Sequence, residues 1–238
     1  MAKAPGKIGQ ALIRLLMKRA TVTATEPLAG PFRLITLEGP ALEGVGWTPG
    51  QKIQIAMGSA FTARTYTPIE WNPVTGRACI LGYVHGDGPG SAWVRGVAPG
   101  DVCDIFGPRS SLDASRMAGS LAVFGDETSI GLAHALAYQD RGRSVTGVFE
   151  VGDAESSCLV AEQLGLDRVA LFSRSAGDAH LEEMEARLDG LAASGASFVL
   201  TGKVGTIQRL RQGLKRLGVP GSRIAAKAYW APGKTGLD

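Results

Sequence analysis

The pattern of apolar residues changes near residue 115, and this change restricts the fold more than any other feature of the chain. Before it, short β-rich runs are separated by Gly and Pro, without a long helical period. Such spacing favours a small barrel or sandwich. Beyond it, apolar strands alternate with helical patterns, which predicts a parallel sheet with crossover helices. We therefore predict a β-barrel domain over residues 1–115 and an α/β domain over 116–238.

The predicted elements follow these two patterns. Pro-Gly turns at Thr48-Pro49-Gly50 and Ala98-Pro99-Gly100 each introduce a barrel strand, because Pro and Gly suit a sharp reversal of the chain. The barrel strands are predicted at 20–25, 32–37, 51–56, 79–84 and 101–106; the α/β strands at 120–124, 144–150, 168–172, 197–200 and 223–230; and the helices at 129–139, 155–164, 181–193 and 204–217.

Composition narrows the class of protein. The formal net charge of +3 over 238 residues is small and dispersed, so it does not indicate nucleic-acid binding, for which a basic stripe or cluster is expected. Cys79, Cys103 and Cys158 are odd in number and far apart, without C-x-x-C spacing. We therefore expect small buried thiols and no disulfide framework, zinc site or iron–sulfur site.

The apolar stretch at residues 11–17 is the feature closest to a targeting or membrane segment. Arg14 interrupts it, no small-residue cleavage site follows, and no run approaches the ~18 apolar residues of a membrane span. We predict a short leading amphipathic helix in a cytoplasmic protein without a membrane span.

The stretch Arg64-Thr65-Tyr66-Thr67-Pro68 is the first candidate binding motif. At a strand end, Arg64 and Tyr66 would share one face because residues i and i+2 point the same way. A guanidinium can pair with pyrophosphate, and a phenol ring can lie against an isoalloxazine. The alternative is an amphipathic strand with one exposed Arg.

The second motif is the Gly-rich stretch of residues 83–93, YVHGDGPGSAW, where a strand ends and a short helix begins. Glycines allow backbone amides to approach a phosphate, and Ser91 near a helix N-terminus adds a hydroxyl. This combination predicts a pyrophosphate cradle. The alternative is a hairpin loop with a surface His85 and a packed Trp93.

The third motif is the first strand-to-helix turn of the α/β part, residues 123–129. Ligands of such sheets bind at the carboxyl ends of the strands. The turn lacks G-x-G-x-x-G, and its two acids would repel phosphate unless they point away or cap the helix. Thr128 and Ser129 are the N-cap and phosphate-side candidates.

Taken in order, these motifs resemble a known family. A barrel with R-x-Y-T, then H-G-x-G-P-x-S-x-W, P-G-D before a strand, G-P-R, G-D-E-T at the start of an α/β domain and a late Y-W-x-x-G is similar to the siderophore-interacting proteins. Those are FAD-containing ferric-siderophore reductases of the ferredoxin-reductase-like superfamily. The resemblance runs from about Ala20 to the C-terminus.

The resemblance also implies roles for individual residues. The isoalloxazine and ribityl phosphate would contact Arg64, Tyr66 and Thr67, and the pyrophosphate would contact His85, Gly90, Ser91 and Ala92. The nicotinamide side would be lined by Gly125, Asp126 and Thr128, and the C-terminal edge of the pocket by Tyr229 and Trp230.

By this resemblance the chain is an FAD-dependent oxidoreductase that takes electrons from NAD(P)H and reduces a ferric siderophore to release Fe(II). The flavin would supply the chemistry, so no catalytic side chain or protein-held metal is required. Three alternatives stay open: an oxidoreductase that exchanges electrons with ferredoxin or flavodoxin, a flavin-binding module without turnover, and a carbohydrate- or lipid-binding β protein fused to a Rossmann-like half.

Donor and acceptor specificity rest on single charged residues. Arg174 follows the third α/β strand and resembles the S-R pair that holds the 2′-phosphate of NADPH in ferredoxin reductases, whereas Glu150 and Asp153 favour a free ribose diol. On this resemblance we expect NADPH as the donor; the alternative is that Arg174 is an ordinary surface residue. Siderophore complexes commonly carry negative charge, so cations are expected over the flavin. The candidates for this role are Lys52, Lys203 and Lys227.

Overall fold

The computed structural model describes residues 17–59 and 62–233. Within them the chain forms two compact units, residues 17–27 with 33–110 and residues 28–32 with 111–233. Apart from Met17, the predicted leading helix lies outside the described residues. None of the helices in the described part is long and apolar enough to cross a membrane.

The first unit contains one sheet of seven strands and one α-helix. The elements are β1 (Lys18–Pro27), β2 (Phe32–Glu38), a 3-10 turn (Pro40–Leu42), β3 (Lys52–Ser59), β4 (Thr62–Tyr66), β5 (Pro68–Asn72), β6 (Arg77–Tyr83), α1 (Pro89–Gly96) and β7 (Val102–Arg109). The strand order is β4-β3-β7-β1-β2-β6-β5. The pairs β1–β2, β1–β7, β3–β4, β3–β7 and β5–β6 are antiparallel.

This sheet confirms the predicted β architecture with one difference. Strands β4 and β5 stand at the two ends of the strand order, so the sheet is barrel-like but not closed among the described strands. The five predicted strands are present with shifted ends. Strand β5 was not predicted, because it is only five residues long and begins at Pro68.

Alternation of side chains accounts for the core of the first unit. In β7, Cys103 and Ile105 are buried while Val102 is exposed, as period-2 geometry requires of a half-buried strand. Helix α1 adds Val94 to the same core. The fully buried aliphatic residues of the sheet are Val22, Ile35, Leu37, Ile53, Ile55, Ile80 and Ile105.

The second unit is a five-stranded parallel sheet with helices between its strands. Its elements are β8 (Leu121–Asp126), a 3-10 turn (Glu127–Ser129), α2 (Ile130–Gln139), β9 (Val145–Val151), α3 (Ala154–Gln163), β10 (Val169–Ser173), a 3-10 turn (Ala176–Asp178), α4 (His180–Ala193), β11 (Ser197–Lys203), α5 (Val204–Arg216), a 3-10 turn (Gly221–Arg223) and β12 (Ile224–Trp230). The order is β10-β9-β8-β11-β12, with parallel pairing throughout.

The predicted α/β elements are confirmed, with strand ends that differ by up to three residues. Every residue of β8 is buried, as expected for a central strand of a parallel sheet. Phe124 of β8 and Phe198 of β11 lie 6.2 Å apart between ring centroids, and Met184 and Leu210 pack against them from α4 and α5. The carboxyl ends of the strands meet at one edge, where β8 ends at Asp126 and β11 at Lys203.

Candidate functional site

The first candidate site lies where the end of β4 meets the start of α1. Gly90 has no side chain, and a Cβ added there would lie 3.2 Å from Arg64 Cγ and 3.4 Å from Tyr66 Oη. The hydroxyl of Tyr66 is 3.5 Å from the carbonyl oxygen of Gly90. The structure therefore brings together three predicted cofactor residues from two separate motifs, with backbone exposed where a side chain would fill the space.

Tyr66 is held by aromatic packing and stays protonated. Its ring centroid lies 5.5 Å from that of Trp93, at an interplanar angle of 48°. Burial raises the pKa of the Tyr66 phenol well above its ordinary value, although Arg64 acts in the opposite direction. The phenol is therefore a neutral hydrogen-bond donor at physiological pH.

Arg64 is half-buried and keeps donors available. One of its terminal nitrogens donates to the carbonyl oxygen of Ala63 at 2.8 Å. Within residues 17–59 and 62–233, it has no carboxylate partner. Because a guanidinium carries five N–H groups, most of its donors can turn to an anion. This matches the predicted role toward a phosphate.

The Gly-rich turn differs in detail from its predicted chemistry. The hydroxyl of Ser91 accepts from the amide of His85 at 3.0 Å and donates to the carbonyl of His85 at 3.2 Å, so its proton closes the turn. The amide of Ala92 donates to the Gly88 carbonyl at 3.0 Å. The Ser91 hydroxyl and the Ala92 amide thus have partners within the turn, whereas the amides of Gly90 and Ser91 lie in the first turn of α1.

Those two amides belong to the first turn of α1, where no carbonyl four residues earlier is available within the helix. Pro89 occupies the preceding position, where the missing N–H has no cost. An anion at this helix end would meet two N–H groups and the positive end of the helix dipole. The exposed His85 ring stacks on Tyr83 at 5.9 Å between centroids.

Two arginines that the sequence reading missed hold α1 in place. Arg33 donates to the carbonyls of Val94 at 2.8 Å and of Arg95 at 2.7 Å, at the C-terminal end of the helix. Arg95 bonds back to the Gly86 carbonyl. The position of Arg95 in the last turn of a helix could have indicated its role, because basic residues stabilise helix C-termini. Arg33 lies 61 residues from Val94, so the sequence gave no sign of its contact with α1.

Thr67 is half-buried between β4 and β5.

The second candidate site lies at the carboxyl edge of the parallel sheet, around Asp126. This carboxylate is completely buried and accepts from the amide of Thr128 at 2.9 Å and from the indole N–H of Trp230 at 2.7 Å. Burial raises the pKa of Asp126, while the hydrogen bonds from Thr128 and Trp230 oppose that rise. Asp126 is therefore the N-cap of the 3-10 turn, and Ser129, one of the two predicted candidates, occupies the N-cap position of α2.

The two glycines beside Asp126 serve packing. A Cβ on Gly125 would collide with the side chain of Ser129, and a Cβ on Gly202 would collide with the Asp126 carboxylate. Gly202 also has φ +94°, a conformation that other residues rarely adopt. Neither the Thr128 amide nor the space at Gly125 is open to a phosphate in this arrangement.

Arg174 forms a two-point ion pair with Glu127. Its two terminal nitrogens contact the Glu127 oxygens at 2.8 and 2.5 Å, and the Gly152 amide donates to the same carboxylate at 2.7 Å. Burial raises the pKa of Glu127, but these hydrogen bonds outweigh it and hold the pKa below its ordinary value. The predicted 2′-phosphate ligand is thus already engaged by an acid of the chain.

Glu150 lies behind this pair and is completely buried. It accepts from the hydroxyl of Thr206 at 2.5 Å and lies 3.1 Å from Nε2 of His180. Nδ1 of His180 accepts from the amide of Ser175 at 3.2 Å, so the proton of the neutral ring is on Nε2 and points at Glu150. Glu150 is therefore not presented to a ribose, contrary to the expectation for a diol-binding acid.

The three lysines predicted to attract the acceptor differ in their surroundings. Lys52, in the first unit, is buried, with 8% of its surface exposed. Lys203 pairs with Asp178 at 3.7 Å. Lys227 is half-buried on β12, in register with Thr201, and Tyr229 is half-buried on the same strand.

Two family models match the chain. Residues 57–112 match the siderophore-interacting FAD-binding domain, and residues 118–233 match the siderophore-interacting protein model. The chain belongs to the siderophore-interacting protein family. The match to the FAD-binding domain covers the residues of the Arg64–Tyr66–Gly90 cluster.

Solved structures support the same fold. A siderophore utilization protein from T. fusca has TM-score 0.74 at 21% identity, covering 93% of this chain and 95% of that one. The siderophore-interacting protein SipS from Aeromonas hydrophila has TM-score 0.75 at 22% identity, covering 92% and 93%. Phthalate dioxygenase reductase has TM-score 0.75 at 16% identity, covering 92% and 70%. A search of curated proteins gave no match.

Proposed function

We propose that this protein uses FAD to reduce a ferric siderophore with electrons from a reduced nicotinamide. The observation that carries the proposal is the cluster of Arg64, Tyr66 and the first turn of α1 within a siderophore-interacting FAD-binding domain. The likeness to phthalate dioxygenase reductase, described as transferring electrons from pyridine nucleotides to a [2Fe-2S] centre, supports a nicotinamide donor.

The residues of the first unit fit an FAD. Arg64 would form charge-assisted hydrogen bonds with the pyrophosphate, and the amides of Gly90 and Ser91 would donate to it. Tyr66, fixed by Trp93, would lie against the ring system and donate its phenolic proton. Bound FAD accepts a hydride and releases electrons singly, which is the chemistry that links a nicotinamide to a ferric ion.

The substrate explains why no metal ligand of the protein is needed. A siderophore holds Fe³⁺ through hard oxygen ligands that suit Fe²⁺ less well, so one-electron reduction loosens the metal without breaking the chelator. Of the predicted lysines, Lys227 is the candidate that is neither buried nor ion-paired in the described part of the chain. We assign it the attraction of an anionic chelate.

The first test measures FAD affinity in Arg64→Ala. Loss of a hydrogen bond between charged groups costs about 1.5–3 kcal/mol, so FAD should bind roughly tenfold to a hundredfold more weakly. Arg77→Ala is the control, because Arg77 is a surface residue of the same unit whose Glu38 partner is 3.7 Å away. Equal FAD affinity in Arg64→Ala and wild type would show that the cluster is not the flavin site.

The second test measures turnover. The FAD-loaded protein is mixed anaerobically with a reduced nicotinamide and a ferric siderophore, and Fe(II) is trapped with a colorimetric chelator. Steady Fe(II) formation is expected. Electron transfer to a [2Fe–2S] ferredoxin with no reduction of any ferric chelate would replace this function by the ferredoxin-type alternative. Flavin that the nicotinamide does not bleach would show that the donor is wrong.

A further inference from the structure

Acids of the chain itself occupy the phosphate-binding groups at the carboxyl edge of the second unit. In parallel α/β sheets, the phosphates of a dinucleotide bind the N-terminal amides of the helices that follow the strands, and a nearby arginine accommodates a 2′-phosphate. After β8, Asp126 accepts from the Thr128 amide at 2.9 Å. After β9, Asp153 accepts from the Ser156 amide at 3.0 Å. After β10, Glu127 holds Arg174.

Arg174 directs most of its donors at groups of the chain. Three of its hydrogen bonds go to this cluster: two to the Glu127 carboxylate and one, at 3.3 Å, to the carbonyl of Glu150. Its Nε lies 3.7 Å from the Glu150 carboxylate. Two carboxyl groups thus face one guanidinium. The nearby Lys203 is matched in the same way by Asp178.

The pair is also costly to open. The Glu127 side chain is 2% exposed, so removal of Arg174 from it would leave a buried carboxylate that has lost its two-point ion pair. A buried charge that loses its partner is strongly unfavourable. The Glu150 carboxylate is fixed in its position, because Thr206 and His180 contact its two oxygens.

We propose that Glu127 is a positioning residue that sets donor selectivity: by holding Arg174 it withholds the cation from a 2′-phosphate, and the reductase therefore prefers NADH to NADPH. This inference rests on the proposed function in one respect, the use of a nicotinamide donor at this edge. A 2′-phosphate would add negative charge beside carboxylates without a cation to receive it, whereas a ribose diol adds none.

The test is direct binding to the FAD-loaded protein, measured by calorimetry with ADP-ribose and 2′-phospho-ADP-ribose. Wild type should bind ADP-ribose at least roughly tenfold more tightly. Glu127→Gln keeps the shape of the side chain and an acceptor for the Gly152 amide but removes the charge that holds Arg174. Its affinity for the 2′-phosphorylated ligand should rise roughly tenfold, with ADP-ribose affinity unchanged.

Two further variants keep the inference open to refutation. Arg174→Ala added to Glu127→Gln should abolish the gain in affinity for the 2′-phosphorylated ligand, because that gain requires the released Arg174. Arg211→Ala, an exposed charge on α5, is the control for general loss of positive charge. If a variant does not fold, the wild-type ratio still decides whether the domain discriminates.

Several outcomes would overturn the inference. They are tighter wild-type binding of the 2′-phosphorylated ligand, a gain in Glu127→Gln that persists when Arg174→Ala is added, an unchanged ratio in Glu127→Gln, or no binding of either ligand. Reduction of a ferric chelate by dithionite-reduced protein is measured in parallel. That assay needs no nucleotide, so its failure would count against the proposed function and its success would leave a failed inference as a separate result.

Discussion

Replacement of Trp230 by Phe should destabilise the second unit in a pH-dependent way. The substitution keeps an aromatic ring but removes the indole N–H, which donates to the buried Asp126 carboxylate at 2.7 Å. The Asp126 carboxylate then keeps its contacts with Thr128 and with the backbone amide of Ser129. The change therefore removes a donor from a carboxylate that has no contact with water.

The size of the effect follows from the charge of the acceptor. A hydrogen bond to an ionised group contributes about 1.5–3 kcal/mol and one to a neutral group about 0.5–1.5 kcal/mol. Trp230→Phe should therefore lower the free energy of unfolding by about 1 kcal/mol more where Asp126 is ionised than where it is protonated.

The direction of the pH dependence follows from linkage. Burial raises the Asp126 pKa, so the native state holds this proton more tightly than the unfolded chain does. Its contribution to stability is greatest below the unfolded pKa and declines as pH rises through the native pKa. Because the Trp230 hydrogen bond lowers the native pKa, its removal should raise that pKa further and deepen the decline.

The assay is urea unfolding followed by far-UV circular dichroism, at a fixed excess of FAD and at several values between about pH 4 and 8. Trp71→Phe is the matched control, because the half-buried Trp71 donates to the neutral Val45 carbonyl at 2.9 Å. The loss of stability in Trp71→Phe should not vary with pH. Equal, pH-independent losses in both variants would refute the assignment of Trp230 as a partner of ionised Asp126.

Two other substitutions test the glycine and serine positions. Gly202→Ala should lower the free energy of unfolding in urea by more than about 2 kcal/mol, because Gly202 has φ +94° and its added Cβ would collide with Asp126. Gly205→Ala is the control, because no atom lies within 4 Å of its added Cβ. Equal stability of the two variants would contradict the packing argument. Ser91→Ala should weaken FAD binding roughly tenfold, because the His85 turn loses both of its closing hydrogen bonds. Fluorescence titration with FAD measures it, and wild-type affinity would show that the turn holds without Ser91.

Periodicity and turn residues predicted the fold because they act locally. The switch from period-2 runs to strand–helix alternation placed both sheets, and the Gly-rich turn and R-x-Y-T marked the two segments that meet at Gly90. Strand β5 was missed, since Pro68 at its start gives no strand signal. The sequence pattern also did not show that the sheet would stay open between β4 and β5.

Side-chain partners were harder to predict because they depend on contacts between distant residues. Arg174 resembles a phosphate ligand in its own segment, but its partner Glu127 lies 47 residues earlier and reaches it only through the order of the strands. The sequence left open that Asp126 caps the turn, but it gave no sign of the hydrogen bond between Asp126 and Trp230. Burial of Lys52 likewise depends on the folded sheet.

The bond between Trp230 and Asp126 also bears on how the chain acquires its fold during synthesis. The two residues are 104 positions apart, and Trp230 is the last residue of β12. A ribosome adds about 5–20 residues per second, so the Asp126 carboxyl group is made several seconds before its indole partner exists. Through that interval the Asp126 carboxylate can bond within its own turn but lacks the indole donor. The first unit has all of its strands by Arg109 and can fold ahead of it, whereas the second must wait for almost its final strand residue.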